Sequence, residues 1–233
     1  PALASLAPAA TSMLSHRRRG IARATVLLAL ALAYAISTST FNATYRQQAE
    51  VDAQLTNGAD VTVNTSPGAQ VPPAYADTIS HVPGVQHVQP ILHRFAYVGA
   101  DLQDMYGVNP DALQSATHLQ DSYFQGITAA RAMTLLRSHP DGALVSAETV
   151  NDYQLNPGDL LRLRIQDAQT HQYREVAFHY VGVVNEFPTA PKDSFIVTNT
   201  TYLTQQSHSE AVGSFLIDTG GKSIASVADR VSK

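Results

Sequence analysis

The segment nearest to a reactive motif is Gly220-Gly221-Lys222-Ser223, because backbone amides beside a lysine can cradle phosphate oxygens. The phosphate-loop pattern G-x-x-x-x-G-K-[ST] needs an earlier glycine, and that position is Leu216. The segment therefore reads as a diglycine turn opening a helix. The 9 histidines raise the question of a metal. His81, His87 and His93 recur every six residues, no pair stands four apart on a helix, and H-E-x-x-H is absent, so the pattern suits scattered surface histidines. Asp101, Asp104, Asp111 and Asp121 crowd one segment and could offer oxygens to Ca²⁺. Their spacing departs from an EF-hand loop and fits a solvated acidic face. No G-x-S-x-G elbow anchors a serine hydrolase. With 0 cysteines, disulfides, thiolate chemistry and Cys-based zinc sites are excluded, while the redox compartment stays open. No residue is assigned a catalytic, cofactor-binding or metal-ligating role, and the sequence predicts a protein that is not an enzyme and uses no cofactor.

The elements that carry these residues are more informative. With 233 residues, 44% apolar and 15% charged, the chain has a globular composition and room for a domain plus an anchoring segment. A net charge of −4 gives no overall footprint for nucleic acid. The chain opens on Pro1, which reads as a piece of something longer. From Ala24 to Tyr45 no residue is charged, and such a helix is roughly 33 Å long, the thickness of a bilayer's hydrocarbon core. Arg17, Arg18, Arg19 and Arg23 precede it, whereas the isolated Arg46 and then Glu50 and Asp52 follow. The positive-inside bias places residues 1–20 in the cytoplasm and everything after about residue 45 outside, at the plasma or inner membrane.

A cleaved signal peptide is the alternative, with Ala33-Tyr34-Ala35 as its A-x-A site. Against it, Asn42 to Thr56 holds no Gly or Pro and is rich in good helix formers, and Asn57-Gly58 supplies a C-terminal stop. The reading is one helix from Ala22 to Thr56, roughly 50 Å long, in a segment 21–57 that serves as span and stalk. Val51 and Leu55 form a thin apolar stripe on the projecting part, suited to one neighbouring helix. Residues 1–20 are a cytoplasmic linker or a short amphipathic segment.

Residues 58–233 carry the pattern of an α+β domain. Alternation predicts a strand at Ala59–Asn64, and Pro72-Pro73 opens a helix reaching Ser80. After the turn Val82-Pro83-Gly84-Val85 an extended run reaches Val98. Residues 99–141 read as a helical or irregular insertion, with helices at Pro110–Ala116 and Ala129–Arg137. Strands then fall at Ala143–Ser146, Leu160–Ile165, Val176–Val184, Phe195–Thr198 and Ser214–Asp218. Helices fall at Ala147–Gln154, Thr200–Gln206 and Lys222–Val231. Arg162 and Arg164 lie on an outer strand face. Together these predict helices sandwiched on a sheet.

The order of features resembles that of ABC-transporter permeases of the MacB/FtsX type. A basic cluster and a first span run into an exposed helix; a strand, a Pro-rich turn and a helix lead to Val82-Pro83-Gly84-Val85. In the second half, Ala143-Leu144-Val145-Ser146, Leu155-Asn156-Pro157-Gly158-Asp159, Tyr180-Val181-Gly182-Val183-Val184 and Phe195-Ile196-Val197 resemble that family's succession of strand, helix, L-x-x-G-D, strand and V-V-G-V. The likeness covers nearly all of residues 17–233, and its specificity lies in the order of the pieces. It implies a MacB-like periplasmic core between a first and a second span. It also implies a cytoplasmic ABC ATPase partner, and a second permease half as homodimer or pseudo-dimer. The chain ends at Lys233 without a second apolar stretch of spanning length, which departs from the family pattern.

Two functional classes follow. One is a permease component that couples cytoplasmic ATP hydrolysis to movement of a lipid, lipoprotein or peptide, in contact with membrane lipid and with an extracytoplasmic protein partner. The other is a singly anchored extracytoplasmic binding or sensor module.

Overall fold

A computed structural model describes residues 6–66, 68–190 and 193–232, with side chains at 18, 20–49 and from 57 onward within those ranges. The chain divides into two compact units, Pro1–Val51 and Asp52–Lys233.

Helix α1 runs from Leu6 to Asn57 without a break. It begins earlier than the sequence predicts: the stretch from Leu6, expected as a linker, forms its first turns. Ala and Leu favour the helix there, and Pro8 falls where an amide has no intrahelical partner to lose. Gly20–Ala49 is the one part of the described residues long and apolar enough to cross a membrane, and protein buries none of it. Leu27, Ile36 and Phe41 stand fully outward, a position that water opposes and hydrocarbon permits. The Thr25 hydroxyl donates to the Ile21 carbonyl at 3.0 Å, so this polar group inside the span is satisfied by its own helix. The helix ends at Gly58, whose φ of +77° belongs to the left-handed region, and a Cβ there would stand 2.9 Å from Pro188 Cβ. The side chains of the Val51 and Leu55 stripe lie outside the described residues.

The second unit alternates strands and helices: β1 Val61–Asn64, α2 Tyr75–Ser80, β2 His87–Val98, β3 Asp101–Val108, β4 Phe124–Gln125, α3 Ala129–Ser138, β5 Gly142–Ser146, α4 Ala147–Tyr153, β6 Leu160–Gln166, β7 Tyr173–Val184, β8 Phe195–Asn199, α5 Thr200–Ser207, β9 Val212–Asp218 and α6 Ile224–Val231. Side-chain oxygens cap three of the helices. Thr128 accepts from the Arg131 amide at α3, Ser146 from Thr149 at α4, and Asn199 from Thr201 at α5.

All the strands join one sheet in the order β1-β9-β2-β3-β8-β5-β7-β4, with β6 pairing both β2 and β7. The pairings close a circuit, β2-β3-β8-β5-β7-β6 and back to β2, in which Leu163–Ile165 of β6 are paired on both edges. Every strand of the circuit gives a residue to one apolar cluster: Leu92, Met105, Ile196, Val145, Phe178 and Leu163. Alternate residues face the other way. Tyr106, Phe195, Val197 and Leu144 pack with Ala132, Met133 and Leu136 of α3. A third cluster joins Val61, Phe215 and Ile217 of β1 and β9 to Ile79 of α2 and Val227 of α6.

The expected insertion at 99–141 is only partly irregular. Its first stretch, Asp101–Val108, is the strand β3, antiparallel to β2 and parallel to β8. Gly99, with φ +59°, turns the chain between β2 and β3. The strand was hidden because its first half is polar, and each polar residue has a tertiary partner. Tyr153 donates to Asp101, Thr149 to Gln103, and His93 bonds Asp104. The helix expected at Pro110–Ala116 is a single 3₁₀ turn, Leu113–Ser115. The second predicted helix is present as α3.

Candidate functional site

Along one edge β2 changes partner. His87–Leu92 pairs with β9 and Ala96–Val98 pairs with β6, which leaves His93, Arg94 and Phe95 at a fork. A bulge at Ile91/Leu92 begins the parting. Gly213 makes the close approach of β9 feasible, since a Cβ there would lie 2.3 Å from His93 Cβ. The fork opens a groove of about 810 Å³. Its other walls are residues 65–66 and 68–70 after β1, the β6–β7 hairpin, and the segment from His208 into the start of β9 at Val212 and Gly213. Local bonds hold these walls: the Thr65 hydroxyl donates to the Val212 carbonyl at 2.7 Å, and the Ala168 amide to the Ser207 carbonyl at 2.8 Å.

Arg94 stands at the base of the fork. Its guanidinium donates through Nη1 to the His93 carbonyl at 2.5 Å and through Nη2 to Ser209 Oγ at 2.6 Å, both uncharged. Burial holds its pKa below the ordinary arginine value. His93 Nε2 meets Asp104 Oδ1 at 2.5 Å, and the ring stacks on Tyr106 with centroids 5.0 Å apart. Burial, and then the Asp104 charge, push the Tyr106 hydroxyl well above its usual range. On the opposite wall His208 Nδ1 lies 2.7 Å from Asp167 Oδ2, while the Gln169 and Thr170 amides donate to Oδ1 at 2.9 and 3.1 Å. The Thr170 amide first, and then the His208 contact, outweigh desolvation and hold the Asp167 carboxyl down at about 2. Arg174 Nε adds charge at 3.8 Å from Asp167 without a hydrogen bond.

His171 and His208 both adopt positive φ, +57° and +52°. Together with His93 they bring three imidazoles to the groove, beside one guanidinium and no carboxylate. Two half-exposed aromatics, Phe95 and Tyr173, line it as well. Ser209, which also lines the groove, accepts from Arg94 and from the Ala211 amide and has no described contact with an imidazole. The groove has the character of a binding surface.

The residues singled out by sequence fall elsewhere, His93 and Asp104 excepted. His81 Nδ1 contacts the Asp77 carbonyl of its own helix at 2.6 Å, and His87 is exposed at the start of β2, about 20 Å along the strand from His93. The four aspartates are dispersed. Asp101 accepts from Tyr153, Asp104 bonds His93, Asp111 pairs with Arg137, and Asp121 accepts from the Ala129 amide at 2.8 Å. The Gly220-Gly221 turn is built around Asp60, whose Oδ2 accepts from the Thr219 amide, the Thr219 hydroxyl and the Gly221 amide at 2.9, 2.7 and 2.9 Å. Burial raises the Asp60 pKa, but these bonds outweigh it and leave the net shift downward. The Gly221 amide that a phosphate would need is thus held by a carboxylate of the chain itself. Sequence reading missed Arg94, His208, Ser209 and Asp167; the one available signal was Arg94, a charge inside the otherwise extended run Val85–Val98.

The family model described as "MacB-like periplasmic core domain" matches residues 24–233. No curated protein matches the chain. Among solved structures, the chain is similar to the extracellular domain of the ABC-type transporter YknZ from Gram-positive bacteria, with TM-score 0.45, 13% identity, 69% of this chain and 81% of that chain covered. It is also similar to the periplasmic region of MacB from Actinobacillus actinomycetemcomitans, with TM-score 0.43, 14% identity, and 73% and 78% covered.

Proposed function

Because this chain belongs to the MacB-like periplasmic core domain family, and so to a family of ABC-transporter permeases that work with a cytoplasmic ATPase, we propose that it couples ATP hydrolysis in the cytoplasm to movement of cargo outside. It is a membrane protein with an extracytoplasmic domain. In the proposed arrangement the arginine cluster before the span keeps the N-terminus cytoplasmic. A second permease half, as homodimer or pseudo-dimer, completes the transporter, and the cargo is a lipid, lipoprotein or peptide. The domain itself performs no covalent chemistry. One observation carries the reading: a single family match runs through the apolar helix and the whole domain, residues 24–233, as one unit.

Coupling is tested with a proline in the projecting part of α1. Proline removes a backbone donor and clashes with the preceding turn, at a cost of about 3 kcal/mol or more to the helix. Gln48→Pro in the full chain, reconstituted with its ATPase, is expected to keep the domain's circular dichroism and membrane insertion while cargo-stimulated ATP hydrolysis falls to the basal rate. Stimulation at the wild-type level in the proline variant would overturn the coupling role and favour a singly anchored binding module.

A further inference from the structure

We propose that the groove at the fork of β2 is a binding site for a phosphate-type oxyanion, anchored by Arg94. A guanidinium carries five N–H donors. The described contacts of Arg94 use two of them, on the His93 carbonyl and the Ser209 hydroxyl, both neutral. Among the described residues no carboxylate pairs with it, although a part-buried cation is costly without a countercharge. The remaining donors have the planar spacing that oxyanions accept.

The walls agree with that assignment. The ionisable side chains lining the groove, apart from Tyr173, are Arg94 and the three imidazoles; no Asp or Glu lines it. Of the carboxylates beside it, Asp104 and Asp167 are bonded to His93 and His208, and Glu210 is exposed between the lining residues Ser209 and Ala211. Arg94 is therefore the cation of the groove that no described carboxylate pairs with. Phosphate brings a larger charge and more acceptor oxygens than a carboxylate to the donors that remain on Arg94. Phe95 and Tyr173, 51% and 49% exposed, offer ring surface along the same groove for the apolar part of an ester. The shared chemistry fits inorganic phosphate or the phosphate of a lipid headgroup.

This inference concerns the domain's own surface and does not depend on coupling to an ATPase, so the two are tested apart. The full chain in zwitterionic-lipid nanodiscs is titrated calorimetrically, without ATP, with inorganic phosphate, glycerol 3-phosphate and dihexanoyl phosphatidic acid below its micelle concentration. Saturable binding to the wild type is expected, weakened about tenfold or more by Arg94→Gln, consistent with losing a charge-assisted pair. Gln70→Glu provides the second variant. Gln70 lines the groove and is exposed, so the change adds a negative charge without removing a structural contact, and it too is expected to weaken binding about tenfold. At least a tenfold preference for the phosphatidic acid assigns the site to a lipid headgroup; equal affinity for all three assigns it to free phosphate. Absence of binding to the folded wild type, or affinity unchanged in Gln70→Glu, overturns the proposal.

Discussion

At the residue scale, several polar side chains of the domain are held in matched sets, one of them at Asp167. Its carboxyl is held at about 2, below the ordinary aspartate value near 3.8, first by the Thr170 amide and then by His208. A lowered folded-state pKa contributes stability that is present above the unfolded value and is lost as pH falls through the folded one. The urea midpoint of the wild type is therefore expected to drop between about pH 4 and pH 2. Asp167→Asn should start lower at neutral pH and lose part of that acid-limb slope; an unchanged slope would show the carboxylate to be unimportant. Thr149 makes a different case. It is fully buried and donates at 2.9 Å to Gln103, which is only 2% exposed. Thr149→Val keeps the shape and leaves the Gln103 oxygen unpaired, a loss of about 1–3 kcal/mol readable in a denaturant titration. The partner Gln103 explains why β3 did not read as a strand: a polar residue that looks solvent-facing in sequence is satisfied by a helix from far along the chain.

At the element scale, the fork of β2 is the feature with consequences. A strand of 12 residues is long enough to serve two partners in succession, and Gly213 lets β9 come close to His93 before it leaves. Any side chain at this position must push the strands apart. Gly213→Ala is expected to cost about 1–3 kcal/mol through overpacking. The distortion should centre on residues 91–95, so hydrogen exchange of the β2 amides is expected to rise while that of β5 and β8 stays at the wild-type level. The extended run to Val98 was legible from its composition. That it has β9 and then β6 along one edge was not, because these pairings join residues 120 to 131 positions apart for β9 and 65 to 69 apart for β6. The same holds for Gly220-Gly221: the turn was legible from the diglycine, but its organising carboxylate, Asp60, is supplied from the other end of the domain.

At the scale of the whole molecule, the unit Asp52–Lys233 contains the three apolar clusters described above, drawn from its own strands and helices. A fragment covering 52–233 is accordingly expected to stay soluble without detergent and to unfold cooperatively, with no exposed apolar helix to draw it into micelles. A broad, non-cooperative thermal transition in that fragment would show that the domain needs its anchor to fold. What the sequence determined by itself is what depends on local composition: the apolar span, the helical run to the Asn57-Gly58 stop, the strand Leu160–Ile165 with its alternating arginines, and the order of motifs that identified the family. These are short-range properties, written in hydrophobic period and turn chemistry. The tertiary structure alone decided the closed strand circuit, the polar strand β3 and the groove around Arg94. Each depends on which distant segments become neighbours, and the burial of an arginine or the pairing of an aspartate has no signature until those neighbours are in place.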